Sequence, residues 1–448
     1  MMNKKIGNGA EIRFAQFAVQ QNFDSLPPEV VKRTKEIIRD TIGVMIRATT
    51  APSLSNLRKA LIDRDSGTST VLGTSFKANP FIAALLNASL PTVTQYDEGH
   101  RLAAHPGIHI VPAAFAMGED KGISGKDLIV AVVTGYEVAV RIGFSVLPMD
   151  PKIHPHGNWS IIGAAVSVGK ILSFTEKQFV SLINSISTLT LATWRKATTD
   201  GATIHHLAPG LGTSHAIAAA LATEAGLSGP PSSLEEFFLP LYATRPNPEI
   251  VTEGLGVTYE ILNNYFKAYP ACAHVHSSLQ ALEKILASHP TSLEDIDWVE
   301  VRTFPAAFHL KEQNPPNTLA GIFSIPYCLG SWLVHRKLPI DAIAAEAIID
   351  PQTLRAASLV RVVKDENLKP PYPQGRPSLV RVHLKNGTQY EDFVALPRER
   401  LTEEELGEKF LQIVKPLMGE KRSEELKKKL DHLENILDIR QLSAYLSL

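Results

Sequence analysis

The chain has 448 residues, 45 Lys+Arg against 46 Asp+Glu, and a formal net charge of −1. Such a balance argues against nucleic acid or an anionic membrane as a partner, because that binding runs on an excess of Lys and Arg. With 44% hydrophobic and 20% charged residues a sizeable core is within reach and wholesale disorder is excluded.

At about 100–200 residues per domain, the length suggests two or three domains. Cys272 and Cys328 are the only cysteines. They cannot build a disulfide framework or a Cys-based zinc site, so a reduced compartment is expected. The N-terminal Met1-Met2-Asn3-Lys4-Lys5-Ile6-Gly7-Asn8-Gly9 is basic with no apolar stretch behind it, unlike a secretory signal. No window approaches roughly 18 uninterrupted apolar residues; residues 128–140 are broken by Gly135, Tyr136 and Glu137. The expectation is a soluble cytoplasmic protein.

Along the chain, helical spacing dominates to about residue 265. After Pro27-Pro28 the set Val30, Val31, Ile37, Ile38, Thr41, Ile42 and Met45 follows one helix face. Four stretches, 81–90, 112–118, 163–172 and 216–225, are crowded with small residues and predict helices that approach closely. Ser124…Asp127, Thr175…Gln178, Ser233…Glu236 and Thr402…Glu405 each have the spacing of a capping box.

Beyond about residue 268 the period changes. Trp298-Val299-Glu300-Val301-Arg302-Thr303 alternates as a half-buried strand does. Residues 379–384 and Gln389–Val394 flank Lys385-Asn386-Gly387, a hairpin signal, and helical stretches 277–288 and 340–349 lie between. Pro370-Pro371-Tyr372-Pro373-Gln374-Gly375 is a loop by composition. From Thr402 charged helices return. The predicted architecture is mainly α: a large all-α domain over residues 1–266, a smaller α+β domain over 267–400, and C-terminal helices over 401–448 that fold back on the large domain.

Histidine carries most of the chemical information, since it works as acid or base near neutral pH. It clusters at His100/His105/His109, His154/His156, His205/His206 with His215, and His274/His276. His105-Pro106-Gly107 and His156-Gly157 put two clusters on loops at helix starts, where catalytic groups tend to sit. The His-x-His pairs, with Asp97 or Glu98, offer metal ligands. There is no His-Glu-x-x-His run, Cys pair or acidic cluster with ligand spacing, so a metal-free site is expected. Walker A, G-x-G-x-x-G after a strand, and Gly-x-Ser-x-Gly are absent too. What remains is cofactor-free proton chemistry. Lys267 stands where the helical region gives way to the α+β region, a position from which it can bind a carboxylate. Cys272 reads better as a small buried hydrophobe than as a reactive thiol.

The motifs themselves resemble the MmgE/PrpD family. They are Gln95-Tyr96-Asp97-Glu98-Gly99-His100 leading to His105-Pro106-Gly107; Gly135-Tyr136-Glu137-Val138 with Arg141; His154-Pro155-His156-Gly157-Asn158-Trp159; Leu207-Ala208-Pro209-Gly210; Lys267-Ala268-Tyr269-Pro270; and Phe323-Ser324-Ile325-Pro326-Tyr327. They run in the family's order over roughly residues 10–415. The resemblance implies a helical domain with an α+β lid, usually as a homodimer, an active site between them, and no metal or organic cofactor. The family's enzymes act on small di- or tricarboxylates, with 2-methylcitrate dehydratases, cis-aconitate decarboxylases and iminodisuccinate epimerase among them.

The resemblance implies catalytic roles for His105, His154, Asp97, Tyr136 and His205, and substrate contacts for Lys267, Arg141, His156, Cys272 and Glu98. Arg141 reads equally as a structural ion-pair partner. Three positions depart from the pattern: Gln95 stands for the leading acid, His205 for the third-loop lysine, and Ala208 for that loop's histidine. The reading is a dehydratase acting α to a carboxylate. An epimerase follows, then a decarboxylase, then a non-catalytic carboxylate binder.

Overall fold

The computed structural model describes residues 9–62, 64–340, 347–398 and 400–447. The chain is mainly α, with 58% helix and 11% strand. Buried side chains form two clusters. One runs from Ala10 to Phe266 and is joined by residues from Leu406 to Leu446; the other runs from Ala271 to Val394.

The first cluster is built on helices. Pro28–Ala48 begins with proline in its first turn and buries the Val30, Ile37, Ile38 and Ile42 face. Gly125–Ser145 runs through the centre. Its mean hydropathy of 1.6 is that of a membrane span, yet 94% of the window is buried inside the molecule, so it serves as the core helix. It crosses Trp159–Ile171 at a point where Gly135 and Gly163 face each other. A Cβ on Gly135 would lie 2.4 Å from the Gly163 carbonyl oxygen, so this crossing requires glycine. Three of the capping boxes form, at Ser124, Thr175 and Thr402. The fourth does not: the Ser233 hydroxyl donates back to the Pro230 carbonyl, and Leu234–Phe238 forms a π turn instead. The Glu403–Met418 helix lays Phe410 and Ile413 against Gly43.

The second cluster carries a four-stranded sheet. Among the described residues the strands are β1 (Ser69–Thr70), β2 (Lys77–Ala78), β3 (Glu98–His100), β4 (Ile153–His154), β5 (Thr193–Trp194), β6 (Asn264–Phe266), β7 (Ile296–Thr303), β8 (Val360–Lys364), β9 (Ser378–Leu384) and β10 (Gln389–Val394). The sheet order is β10-β9-β7-β8, with β7 and β8 parallel. The β9–β10 hairpin turns at Gly387, whose φ is 87°. In β7 the buried Val299, Val301 and Thr303 alternate with half-exposed Trp298, Glu300 and Arg302. His276–Ser288 lies across β9 and β10. Of the expected helical stretch 340–349, residues 341–346 lie outside the described residues, and Ala347–Ile349 is one 3-10 turn.

Two short ribbons matter more for function than the sheet does. β3 pairs with β6 in antiparallel register, Glu98 opposite Phe266. β4 pairs with β5, His154 opposite Thr193. Each ribbon joins distant parts of the chain at one place.

Candidate active site

The β3–β6 ribbon sets Asp97 beside Lys267, one residue beyond the Glu98–Phe266 pair. Lys267 Nζ donates to Asp97 Oδ1 at 3.1 Å, to the Gln95 carbonyl at 2.9 Å and to Gln95 Oε1 at 3.2 Å. Gln95 holds that carbonyl in place with a left-handed backbone, φ 49°. After β3 the chain doubles back: the His100 amide donates to the Ala104 carbonyl at 2.7 Å, and Ala104 is also left-handed, φ 58°. Two non-glycine residues in this region flank the same few residues, which is where strain tends to be kept for function.

The turn delivers His105 to the start of the Gly107–Lys121 helix. Its Nδ1 lies 2.7 Å from Asp97 Oδ2 and 2.9 Å from the Glu98 carbonyl oxygen. Nε2 is therefore the nitrogen left for the cavity that His105 lines. Burial alone would raise the Asp97 carboxyl, but Lys267 and His105 outweigh it and hold Asp97 well below the usual carboxylate range.

Behind this pair, Glu98 is fully buried. Its Oε1 accepts the Gly107 amide at 2.7 Å and its Oε2 accepts the Tyr136 hydroxyl at 2.9 Å. Burial pushes the Glu98 carboxyl up to about 8 despite both hydrogen bonds. Tyr136 has no exposure. These two residues anchor the helix start to the core helix rather than facing the cavity.

The β4–β5 ribbon brings the second loop beside Arg195. Asn158 donates to the His154 carbonyl at 2.9 Å, and its side chain accepts the Trp159 amide at 3.0 Å. Trp159 Nε1 donates to the Ala103 carbonyl at 3.0 Å, tying this loop to the first. Between them Gly157, φ 85°, donates its amide to His109 Nε2 at 3.2 Å. The His109 ring therefore carries its proton on Nδ1, next to the His105 carbonyl.

A third segment ends in His205 and His206 at the start of the Leu207–Glu224 helix. The rings of His154, His156 and His205 gather: centroids lie 4.4 Å apart for His154–His156, 4.7 Å for His154–His205 and 5.3 Å for His156–His205. His105 is 5.6 Å from His156. Burial lowers His154 and His156 well below the ordinary histidine value and His205 to about 3, so these three rings are neutral near pH 7.

The cavity above them holds about 440 Å³, within the usual range for a small-molecule site. The helical side contributes Gln95, His105, His154 and Arg195; the other side contributes Cys272, His274, Phe323, Tyr372 and Arg376. Five cationic side chains line it, Arg101, Lys152, Arg195, Lys196 and Arg376, and no Asp or Glu among the described residues does. Arg195 is braced by the Pro151 carbonyl at 3.0 Å and the Ile153 carbonyl at 2.9 Å.

Among the residues expected from sequence, His105, His154 and Cys272 reach the cavity wall. Asp97, His156, His205 and Lys267 sit directly behind it, and the Lys267 ammonium is occupied by Asp97 and Gln95. Arg141 lies apart: it pairs with Glu137 and donates to the Thr258 carbonyl at 2.9 Å, the structural role weighed from sequence. Glu137 in turn accepts the Glu260 and Ile261 amides. Sequence reasoning missed Arg195, Arg376, Arg101 and Tyr372. The Pro-rich stretch 370–375, read as a loop, was the one signal near Tyr372; nothing local marks the three arginines.

Family models for the MmgE/PrpD N-terminal domain and the MmgE/PrpD C-terminal domain match residues 12–245 and 269–434. The chain belongs to the MmgE/PrpD family. A MmgE/PrpD relative, cis-aconitate decarboxylase of Aspergillus terreus, is 24% identical over 478 residues, covering 99% of this chain and 97% of that protein. A cis-aconitate decarboxylase-like protein of Aspergillus oryzae is 23% identical over 94% of each chain. Human cis-aconitate decarboxylase is 24% identical over 94% of this chain and 91% of its own.

Proposed function

We propose that this chain is a lyase that moves a proton at the carbon α to a carboxylate of a small di- or tricarboxylic acid. The observation that carries the reading is the cavity itself: a histidine backed by a buried carboxylate opens into a space lined, among the described residues, by five cations and no acid. Several carboxylates on one small substrate complement such a wall.

His105 does the chemistry in this reading. With Nδ1 held by the Glu98 carbonyl and Asp97, Nε2 presents its lone pair and takes the α-proton. The imidazolium that forms is stabilised by the Asp97 carboxylate, while Arg195 and Arg376 face the charge that spreads into the substrate carboxylate. Returning the same proton to a β-hydroxyl expels water on the same side, a syn elimination. Dehydration is the leading reaction. Decarboxylation is the second reading, favoured by the names of relatives matched over 94% or more of the chain. There His105 starts protonated, CO₂ leaves with its bond electrons staying on carbon, and the proton passes to that carbon.

The two separate hydrophobic clusters support a division into a large helical domain, 1–266 with 401–448, and an α+β lid over 267–400. Closure of the lid would exclude water from the cavity between them. The test is turnover of polycarboxylates by the intact chain against His105→Ala. Activity lost in a variant with unchanged circular dichroism supports the reading; activity retained sinks it.

A further inference from the structure

His154 and His156 from the second loop and His205 from the third converge on one point. Each offers a ring nitrogen, and the three nitrogens lie within 4.8 Å of one another. They are 6%, 1% and 3% exposed. Both ring nitrogens of His156 and Nε2 of His205 are buried with no hydrogen-bond partner. A fold does not ordinarily leave three such atoms unpaired, and one nitrogen from each of His156 and His205 belongs to the converging set. The other histidines nearby are spoken for: His109 is bonded through both nitrogens, and His206 Nδ1 lies 3.1 Å from the Thr92 hydroxyl.

We propose that His154, His156 and His205 bind a divalent transition cation of the zinc type, with its fourth position open to the active-site cavity. Three imidazoles with no carboxylate form a donor set for Zn²⁺, Co²⁺, Ni²⁺ or Cu²⁺, and a poor one for Mg²⁺ or Ca²⁺. Zinc–nitrogen bonds of about 2.0–2.1 Å put tetrahedral ligand nitrogens about 3.4 Å apart. The rings need to draw in modestly from their present spacing.

His154 keeps one long contact, its Nδ1 accepting the His156 amide at 3.3 Å, and that Nδ1 lone pair could turn to a cation at the cost of this contact alone. The loop that carries two ligands is fixed by the Asn158–His154 and Gly157–His109 hydrogen bonds, so the site is largely preformed. Of the three ligands only His154 reaches the cavity wall, which leaves the open position on that side. A water, or a carboxylate or hydroxyl oxygen of a bound acid, would fill it, as in three-ligand catalytic zinc sites.

The sequence offers two His-x-His pairs but no His-Glu-x-x-His run, Cys pair or acidic cluster with ligand spacing, and so favoured a metal-free site. One of those pairs meets His205, which stands where the family resemblance places lysine, and a lysine there would put an ammonium in the ligand position.

The test uses the full-length chain, stripped with chelator and titrated with Co²⁺. The expected result is one equivalent bound with the visible spectrum of a low-coordinate Co²⁺, displaced by Zn²⁺ and not by Mg²⁺. His156→Ala and His205→Lys should each weaken binding by roughly 100-fold or more, beyond the range of supporting-residue losses; His206→Gln should not. Melting curves identify variants that fold, and His154→Gln replaces any that does not. Absence of stoichiometric Co²⁺ uptake, or uptake of equal strength in two folded ligand variants, overturns the proposal and leaves buried water as the occupant. The readout is binding alone, so it stands or falls separately from the lyase reading.

Discussion

Asp97 bridges Lys267 and His105: one carboxylate oxygen lies 3.1 Å from Nζ of the lysine and the other 2.7 Å from Nδ1 of the histidine. A buried acid thus neutralises a buried cation and orients a cavity-facing imidazole at once. The two uses separate on mutation. His105→Ala should lower kcat about 10²–10⁴-fold with little change in stability, the usual range for losing a general acid–base group. Asp97→Asn should also cost about 3–5 kcal/mol of stability, because Lys267 is left buried and unpaired. Asp97→Asn with Lys267→Met should recover much of that stability and none of the activity. Steady-state kinetics and denaturant melts on the three variants check both statements.

Arg195 tests the cation-lined wall. Its guanidinium is held by two loop carbonyls and lines the cavity, so Arg195→Met should raise KM more than it lowers kcat. A hydrogen bond to a charged group is worth about 1.5–3 kcal/mol, which predicts a rise of roughly 10- to 100-fold. A KM unchanged for every polycarboxylate tried would remove Arg195 from substrate binding.

Glu98 gives stability a pH signature. Burial raises its carboxyl from 4.5 to about 8 in the folded chain. Between those values the unfolded chain has lost this proton and the folded chain keeps it, so the contribution of Glu98 is full below pH about 4.5 and falls as pH rises toward 8. The slope is at most about 1.4 kcal/mol per unit. Glu98→Gln can still accept the Gly107 amide and donate to Tyr136. It should therefore be more stable than the parent at pH 8 and gain nothing at pH 4.5, measured by urea unfolding at each pH.

The Gly135–Gly163 crossing carries a steric prediction. A methyl at either position meets a carbonyl oxygen at 2.3–2.4 Å, backbone that cannot turn aside. Gly135→Ala should destabilise by about 1–3 kcal/mol or more, the range for overpacking a tight core. Thermal melting checks it, and an unchanged Tm would mean the helices are spaced more loosely than described.

Local structure was the most legible part. Three capping boxes and the Asn-Gly hairpin are set by residues a few positions apart, and short-range spacing suffices to find them. Ser233 misled because a neighbouring Pro230 carbonyl captured its hydroxyl. His105 and His154 were found by their place beside turn residues, and Asp97 through family resemblance. Lys267 came forward by its place at the junction of the two regions and Tyr136 through the resemblance, yet each is taken up by a buried partner, which only tertiary register decides. Arg195 and Arg376 were invisible for the opposite reason. They reach one cavity through pairings between segments 39 or more residues apart, and nothing in their immediate neighbours marks them. The convergence of His205 on the His154/His156 pair is likewise a product of packing.

Proton NMR of the purified chain in D₂O, with 2-methylcitrate, citrate, cis-aconitate, malate and iminodisuccinate stereoisomers in turn, reads the proposed reaction itself. At least one acid should be converted by loss of water, giving new vinylic signals, or by loss of CO₂, with deuterium at the protonated carbon, and His105→Ala should be silent. Deuterium exchange with stereochemical scrambling and no elimination, or no change with any of these acids, would contradict it.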